Sequence, residues 1–248
     1  MKIIYPNILN RHEVVSAFFT EANRAVTNYD GSIPGLNLGY NTSAGESEVS
    51  DNFYSLFSYL GWDSGAYTIA RQVHGNRVET VNSPGIIEAA DGLVTRKRGL
   101  AIGIRVADCA ALLAADPQNH VVGAFHAGWK GAASGIVSRG IAKMASIGAD
   151  PENIFVYASP CISQKNFEVG EEVAVKFPEQ FIDRQNYKKP HVDLPGFILS
   201  ELIKSGLNRE QIKISNECTI DHSKYYSYRR EREKAGRMLA MIKLNHNH

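Results

Sequence analysis

The centre of the chain constrains the fold most, because two apolar runs flank a single tight-turn segment. Ala110–Ala115 and His120–Phe125 lie on either side of an Asp-Pro-Gln-Asn sequence, which is typical of a β-turn. A further run upstream, Leu100–Val106, is rich in β-branched residues. We therefore predict an antiparallel hairpin within a sheet, with Cys109 beside the start of its first strand and His126 at the end of its second.

Pairing of these strands across the turn brings Cys109 and His126 to the same open end. His74 also follows an apolar, strand-like run and precedes a small-residue turn. Two imidazoles and one thiolate can bind one zinc ion (Zn2+), with the fourth tetrahedral position left for water or substrate. The wide spacing matches no short zinc motif, so a core or loop role without a metal stays open for each residue.

Cys109 has a second functional interpretation, as a nucleophile activated by His126 in the manner of cysteine hydrolases. A nucleophile needs one base and an orienting group, whereas a metal needs a third ligand such as His74. Asp108 adjoins Cys109, but its side chain would point to the opposite side of an extended chain. We therefore expect Asp108 to be a turn or supporting residue rather than the orienting group.

Composition points to a small-molecule partner. The chain has 248 residues, and 27 Lys and Arg against 26 Asp and Glu leave a net charge of +1, which gives no field for nucleic acid or an anionic membrane. The cysteine count of 3 is odd, which argues against a disulfide framework. With no signal peptide or long apolar run in evidence, we predict one cytoplasmic domain over residues 1–248.

The flanking segments predict helices on the sheet. Asp51–Leu60 is expected to be a helix after a glycine-rich loop over Tyr29–Ser47. After His126, apolar residues at helical spacing predict a second helix that ends at Gly148, and Met238–Leu244 predicts a final strand. Helices and strands together indicate an α/β fold.

Several residues near these elements are candidates for substrate contacts. Lys130 and the glycine-flanked helix start beside it would suit an anion such as phosphate, and Arg229 or Arg230 could clamp the same group. Glu168 is a candidate general acid or base. For the arginines and for Glu168 the alternative is an ordinary solvated surface charge.

Two apolar candidates could line the same site. Trp129 could stack on a flat ligand or fill the core. Cys161 follows a proline in a turn and could face the pocket, although a buried structural role is the simpler interpretation.

The motifs around these residues resemble those of the YfiH/laccase-domain family, also called the multicopper polyphenol oxidoreductase or peptidoglycan editing factor family. They occur in the same order as in that family, over about residues 18–242: Val-His-Gly, Ala-Asp-Cys, His-Ala-Gly-Trp-Lys-Gly, Pro-Cys-Ile, Phe-Glu-Val-Gly-Glu-Glu-Val, Glu-Cys-Thr and Ser-Tyr-Arg-Arg. The resemblance implies a single-domain mixed β-sheet sandwich flanked by helices. It also implies that zinc is held by His74, Cys109 and His126.

The resemblance further implies a purine nucleoside phosphorylase that acts on adenosine, inosine, guanosine or methylthioadenosine and that also deaminates adenosine. Asn37, in a matching Asn-Leu-Gly segment, is then expected to bind substrate. This chain departs from the family pattern near the N-terminus, where Glu21 and Arg24 stand in a segment that usually reads Phe-Ser-Thr-Arg-x-Gly-Gly. Ser159 and Phe167 replace a usual Gly and Tyr.

Three other functions compete with this one. A copper oxidase needs many histidines in close pairs, and the chain has 8 histidines, with a single His-x-His at its end. A hydrolase built on Cys109 and His126 is the second, and a non-enzymatic, zinc-stabilised protein of the cell-wall system is the third.

Overall fold

The computed structural model describes residues 1–25 and 33–246. In chain order, the strands are β1 (Ile3–Ile4), β2 (Val15–Thr20), β3 (Tyr67–Arg71), β4 (Val78–Thr80), β5 (Gly85–Glu88), β6 (Gly92–Thr95), β7 (Ala101–Val106), β8 (Ala110–Asp116), β9 (Val121–Ala127), β10 (Phe155–Ala158), β11 (Ile182–Asp183), β12 (His191–Val192), β13 (Ile212–Ile214) and β14 (Met238–Leu244). The α-helices are α1 (Asn7–Asn10), α2 (Glu46–Leu60), α3 (Trp129–Ala133), α4 (Ile136–Ser146), α5 (Glu171–Ala174), α6 (Leu194–Lys204) and α7 (Tyr228–Glu231).

Among these residues the strands form two large sheets. The first is 6-stranded, in the order β1-β2-β14-β7-β3-β5, and the second is also 6-stranded, in the order β13-β10-β8-β9-β6-β4. Both sheets contain parallel and antiparallel pairs. In the first sheet β3 pairs with β7 in parallel and β14 with β7 in antiparallel, and in the second sheet β10 pairs with β13 in parallel and with β8 in antiparallel. The chain crosses from the first sheet to the second three times, from β3 to β4, from β5 to β6 and from β7 to β8.

The two sheets pack face to face and carry helices on their outer faces. Alternation along β8 assigns the faces: Ala111 and Leu113 belong to the core between the sheets, whereas Leu112 packs with residues of α4 and α6. On the outer face of the first sheet, Phe53 of α2 packs with Leu239 of β14. Four layers result, and the predicted mixed β-sheet sandwich flanked by helices is confirmed.

The central hairpin forms as predicted, between β8 and β9. Its register runs from Asp116 opposite Val121 to Ala110 opposite Ala127. Asp116 is fully buried and accepts bonds from the main-chain N–H groups of Gln118 and Asn119, each at 3.0 Å, which fixes the turn.

One neighbouring element differs from the sequence expectation. Helix α2 begins at Glu46, inside the segment predicted as a loop, because Gly45 starts the helix and Glu46 and Glu48 place negative charge in its first turn. Gly61, with φ 64°, ends it. Residues 26–32 of the predicted loop region lie outside the described residues. No helix within the described ranges is long and apolar enough to cross a bilayer.

Candidate metal centre

His74, Cys109 and His126 converge at one edge of the sandwich. His74 follows β3, Cys109 lies in the crossover between β7 and β8, and His126 lies near the end of β9. One ligand atom from each lies within 4.8 Å of the other two. The hairpin accounts for the approach of Cys109 and His126, since Ala111 pairs with His126 and Cys109 precedes it by two residues.

Asp91, which sequence reasoning missed, holds both histidines in place. Its Oδ1 atom is 2.7 Å from Nδ1 of His126 and accepts the main-chain N–H of His74 at 2.9 Å. Its Oδ2 atom accepts the N–H groups of Val73 at 3.2 Å and Gly75 at 2.7 Å. A carboxylate that engages one ring nitrogen of a histidine orients the other toward a metal. In the sequence, the only indication of this role was the position of Asp91 in an Ala-Asp-Gly turn beside apolar residues.

The loop around His74 owes its shape to that carboxylate. His74 has φ 60°, in the left-handed region that non-glycine residues seldom adopt. The N–H groups of Val73, His74 and Gly75 all turn toward Asp91, so the loop wraps around a buried anion.

Gly128 keeps space open beside the three ligands. A Cβ atom at this position would lie 2.8 Å from Sγ of Cys109 and 3.3 Å from Cδ2 of His74. Its backbone is extended, with φ −75°, so glycine is needed here for space rather than for conformational freedom.

Charges around the thiol favour a thiolate. Desolvation alone would raise the pKa of Cys109, but the attraction of the His126 imidazolium and hydrogen bonds from both histidines lower it to about 6. For His126, burial lowers the pKa, but the Cys109 thiolate and Asp91 outweigh it and raise the value to about 9. Between these pH values the metal-free centre is a thiolate and imidazolium pair, so Cys109 is already deprotonated, whereas His126 must lose one proton before it can bind a metal.

This charge state predicts the reactivity of the metal-free protein. Alkylation of Cys109 by iodoacetamide should continue as pH falls and drop only through about pH 6, because its thiolate persists to the pKa of about 6. Peptide mapping by mass spectrometry gives the rate at each cysteine. Cys161 is the internal control, since burial raises the pKa of its thiol. A midpoint near the ordinary thiol value would contradict the assignment.

The three candidate ligands line a cavity of about 580 Å³. Trp129 and Phe167 add aromatic surface to its wall, and Arg229, which the sequence predicted as an anion clamp, also lines it. Of the residues predicted to contact substrate, Trp129 and Arg229 thus line the same cavity as the candidate metal-binding side chains. The cavity volume falls within the usual range for small-molecule sites.

Three other predicted charges do not line this cavity. Lys130 is exposed and lies with Nζ 5.4 Å from the Trp129 ring centroid. Arg230 donates to the main-chain oxygens of Thr219, at 2.7 Å, and of Tyr225, at 2.6 Å. The guanidinium of Arg230 thus links main-chain segments near Thr219 and Tyr225 by hydrogen bonds. The helix that begins after Gly128 is α3, which is too short to provide an anion site of its own.

Glu168 is the third of these charges, and it forms an ion pair with Lys189 at 2.8 Å. The hydrogen bond and charge of Lys189 lower the pKa of the Glu168 carboxyl group. Nη1 of Arg229 donates to the main-chain oxygen of Glu168 at 3.0 Å, so the backbone of Glu168 lies near the cavity while its carboxylate is an exposed ion pair.

Asn37 and Cys161 are buried and do not line the cavity. Oδ1 of Asn37 accepts the N–H groups of Gly39 at 3.0 Å and Arg237 at 2.9 Å, which places both of these cavity residues. Cys161 is 3% exposed and forms a β-bridge with Cys218. Asp108 lies at the cavity and accepts Oγ1–H of Thr219 at 2.6 Å, which agrees with its expected supporting role.

Of the residues that depart from the family pattern, Phe167 lines the cavity, whereas Glu21, Arg24 and Ser159 do not. Arg24 forms an ion pair with Glu231 at 2.5 Å, and its guanidinium lies 4.7 Å from the Tyr226 ring centroid. Glu21 is 3.6 Å from Nζ of Lys224. Ser159 is buried, and its hydroxyl accepts the N–H of Ala111 at 3.0 Å, which anchors the start of β8.

The fold and the centre together define a class: a four-layer α/β sandwich with a His/Cys/His cluster open to a small-molecule cavity. The family model described as multi-copper polyphenol oxidoreductase laccase matches residues 16–245. The chain belongs to this family.

Relatives and solved structures agree with this assignment. The chain is similar to the purine nucleoside phosphorylase of Deinococcus radiodurans, with 35% identity over 96% of this chain and 91% of that protein. It is also similar to a purine nucleoside phosphorylase of Streptomyces griseus, with 34% identity over 85% of this chain and 87% of that protein. The crystal structure of the hypothetical protein YfiH of Bacillus licheniformis matches with a TM-score of 0.87 and 27% identity over 93% of each chain.

Proposed function

We propose that this chain is a zinc-dependent purine nucleoside phosphorylase. The observation that carries the proposal is the cluster of His74, Cys109 and His126 in the wall of a nucleoside-sized cavity. Relatives that bear the name purine nucleoside phosphorylase at 35% and 34% identity support the reaction class.

The donor set fits zinc. Two imidazoles and a thiolate are ligands that Zn2+ accepts in tetrahedral sites, and three protein ligands are typical of a catalytic zinc. Asp91 supplies the supporting carboxylate beside His126. Within residues 1–25 and 33–246, the cluster is the one group of three or more potential ligands, whereas multicopper chemistry calls for several. When bound, zinc supplies Lewis acidity, which lowers the pKa of water toward neutrality.

In phosphorolysis, a phosphate oxygen bonds to C1′ of the ribose while the bond from C1′ to the purine nitrogen breaks. The purine leaves with a proton, and ribose 1-phosphate is the second product. The protein must therefore hold a nucleoside and a phosphate side by side. Trp129 and Phe167 offer aromatic surface for the base, and Arg229 offers a guanidinium at the wall.

Glu168 has no role in proton transfer in the proposed reaction. Its lowered pKa, caused first by the hydrogen bond from Lys189, favours the ionised form that already pairs with that lysine. A general acid requires the opposite shift.

The proposal extends to the hydrolytic deamination of adenosine, in which water replaces the 6-amino group and ammonia leaves. Histidine and cysteine ligation of zinc is also found in nucleobase deaminases of another class. Adenosine, inosine, guanosine and methylthioadenosine are the proposed phosphorolysis substrates, since they share the purine and ribose that the cavity would hold.

Product analysis of purified protein with adenosine tests both reactions. With phosphate, adenine and ribose 1-phosphate should form; without phosphate, inosine alone should form. Both should stop after chelation and resume when zinc is restored. Turnover that persists after chelation would favour the hydrolase built on Cys109 and His126, and absence of all turnover would favour a binding protein.

His74→Ala tests the three-ligand assignment directly. We expect this variant to lose stoichiometric zinc and at least about 100-fold of its phosphorolysis rate, because the remaining two ligands do not fix the ion. His222→Ala is the matched control, since His222 is exposed and does not line the cavity. Metal analysis and product assays are the measurements. Stoichiometric zinc in His74→Ala would refute the assignment.

A further inference from the structure

The cavity wall contains a buried guanidinium with no counter-ion in the part of the chain that the structure describes. Arg105 lies on β7, is 9% exposed and lines the cavity. Its Nη2 donates to the main-chain oxygen of Ala70 at 3.2 Å, whereas Nη1 is buried without a hydrogen-bond partner. No carboxylate among the described residues forms an ion pair with Arg105. An arginine stays charged in a protein, so such a site is costly unless an anion arrives.

The backbone of Arg105 is held firmly. Gln72, another cavity residue, donates from Nε2 to the main-chain oxygen of Arg105 at 2.7 Å and accepts its N–H at 2.9 Å. The guanidinium lies 5.5 Å from the Tyr40 ring centroid. This side chain is therefore positioned before any ligand binds, which reduces the entropy lost on binding.

A second guanidinium lies beside the first. Strand pairing sets Arg105 opposite Leu239, and Arg237 precedes Leu239 by two residues and so continues the same face of the sheet. Arg237 also lines the cavity, and its main-chain N–H is fixed by Asn37. Its Nη1 donates to the main-chain oxygens of Ala235 at 2.6 Å and Gly236 at 3.0 Å. Among the described residues no carboxylate forms an ion pair with Arg237.

The net charge of the lining reinforces this arrangement. Four arginines contribute to the wall, and Asp108 is its one carboxylate among the described residues. Asp108 already accepts from Oγ1 of Thr219 at 2.6 Å and from the main-chain N–H of Arg229 at 2.6 Å. The net positive charge of the wall is therefore available to attract an anionic ligand. The four arginines are Arg105, Arg229, Arg232 and Arg237.

We infer that Arg105 and Arg237 form the subsite for the phosphate co-substrate, next to the metal ligands. This inference rests on the proposed function and deepens it. The ligand class is a phosphate dianion, which a pair of guanidinium groups recognises with charge-assisted hydrogen bonds. The subsite replaces Lys130 and Arg230, which do not line the cavity, as the anion clamp.

The test compares Arg105→Met and Arg237→Met with Arg71→Met in the metal-loaded protein. Arg71 is a matched control because it is exposed, pairs with Glu88 at 2.9 Å and does not line the cavity. Calorimetric titration with inorganic phosphate at constant ionic strength should show binding weakened by about 10- to 100-fold in the first two variants. The KM for phosphate should rise by a similar factor while the KM for the nucleoside changes little. Arg105→Lys should recover part of the loss.

Different results of these experiments would test the phosphate subsite and the proposed phosphorolysis reaction separately. Phosphate binding that depends on Arg105 and Arg237 in a protein without phosphorolysis would support the subsite and refute the proposed function. Phosphorolysis with an unchanged KM for phosphate in both variants would refute the subsite alone. Binding of adenosine 5′-monophosphate without binding of inorganic phosphate would refute the assignment to the co-substrate. If Arg105→Met does not fold, as judged by circular dichroism, Arg237→Met gives the same comparison.

Discussion

Asp91→Asn should weaken zinc binding by about 10- to 100-fold, the range typical for loss of a carboxylate that supports a metal-bound histidine. Each oxygen of Asp91 accepts two hydrogen bonds, so an amide nitrogen at either position would face donors: either His126 and His74, or Val73 and Gly75. The metal-free protein should also lose about 3 kcal/mol of unfolding free energy, because buried donors are left unpaired. Competition with a chromogenic chelator and urea unfolding measure the two effects.

Asp116→Asn is the matched control for this prediction. Asp116 is likewise fully buried and accepts hydrogen bonds from the N–H groups of Gln118, Asn119 and Asp150, but it lies at the opposite end of the hairpin. Its replacement should lower the stability and leave the zinc affinity of the folded protein unchanged. Equal zinc affinities of Asp91→Asn and Asp116→Asn would show that Asp91 supports the fold without serving the centre.

Gly128→Ala should abolish tight zinc binding while leaving the fold intact. The added methyl carbon would lie 2.8 Å from Sγ of Cys109 and 3.3 Å from Cδ2 of His74, so at least one ligand must move. A displacement of about 1 Å at a preorganised site can cost about 100-fold in function. The unfolding free energy of the metal-free protein should fall by about 1 kcal/mol, since the thiol can yield into the cavity. Zinc titration, product assays and urea unfolding provide the three values.

Gly45→Ala is the control for the added methyl group. Gly45 also has an extended backbone, with φ −67°, and its nearest neighbour would be Oγ of Ser47 at 3.8 Å. This variant should bind zinc and turn over substrate like the unmodified protein. Normal zinc affinity in Gly128→Ala would mean that the ion does not lie among the three side chains.

Local sequence patterns were sufficient where a single element determines the geometry. The turn sequence and the apolar runs predicted the hairpin, and with it the approach of Cys109 to His126. The approach of His74 to the other two residues could not be predicted in this way, because it depends on how the two sheets pack. Its assignment as a zinc ligand came from the family resemblance. The start of α2 was predicted five residues late, since Gly45 reads as part of a loop until the packing of Val49 against the sheet is known.

The supporting residues were the hardest to predict. Asp91 contacts a loop and a strand that are distant in sequence, and no spacing rule links a lone Asp to His126. Conversely, Arg230 looked like a ligand-binding cation, but its donors are used by main-chain oxygens of its own neighbourhood. Arg105 lies inside an apolar run that predicts only a strand. Its proposed role depends on the lack of an ion-pair partner among the described residues, which the sequence does not reveal.

Two of the crossovers from the first sheet to the second carry a candidate ligand: His74 lies between β3 and β4, and Cys109 lies between β7 and β8. The crossover from β5 to β6 carries Asp91. With His126 on the second sheet, a bound ion would act as a non-covalent cross-link that ties the two sheets at one edge. The free energy of unfolding would then rise with the concentration of the proposed zinc ion, because a ligand that binds only the folded state stabilises it. The ion would thus serve the packing of the two sheets as well as the chemistry. Loss of the ion would thus favour local opening and proteolysis at this edge.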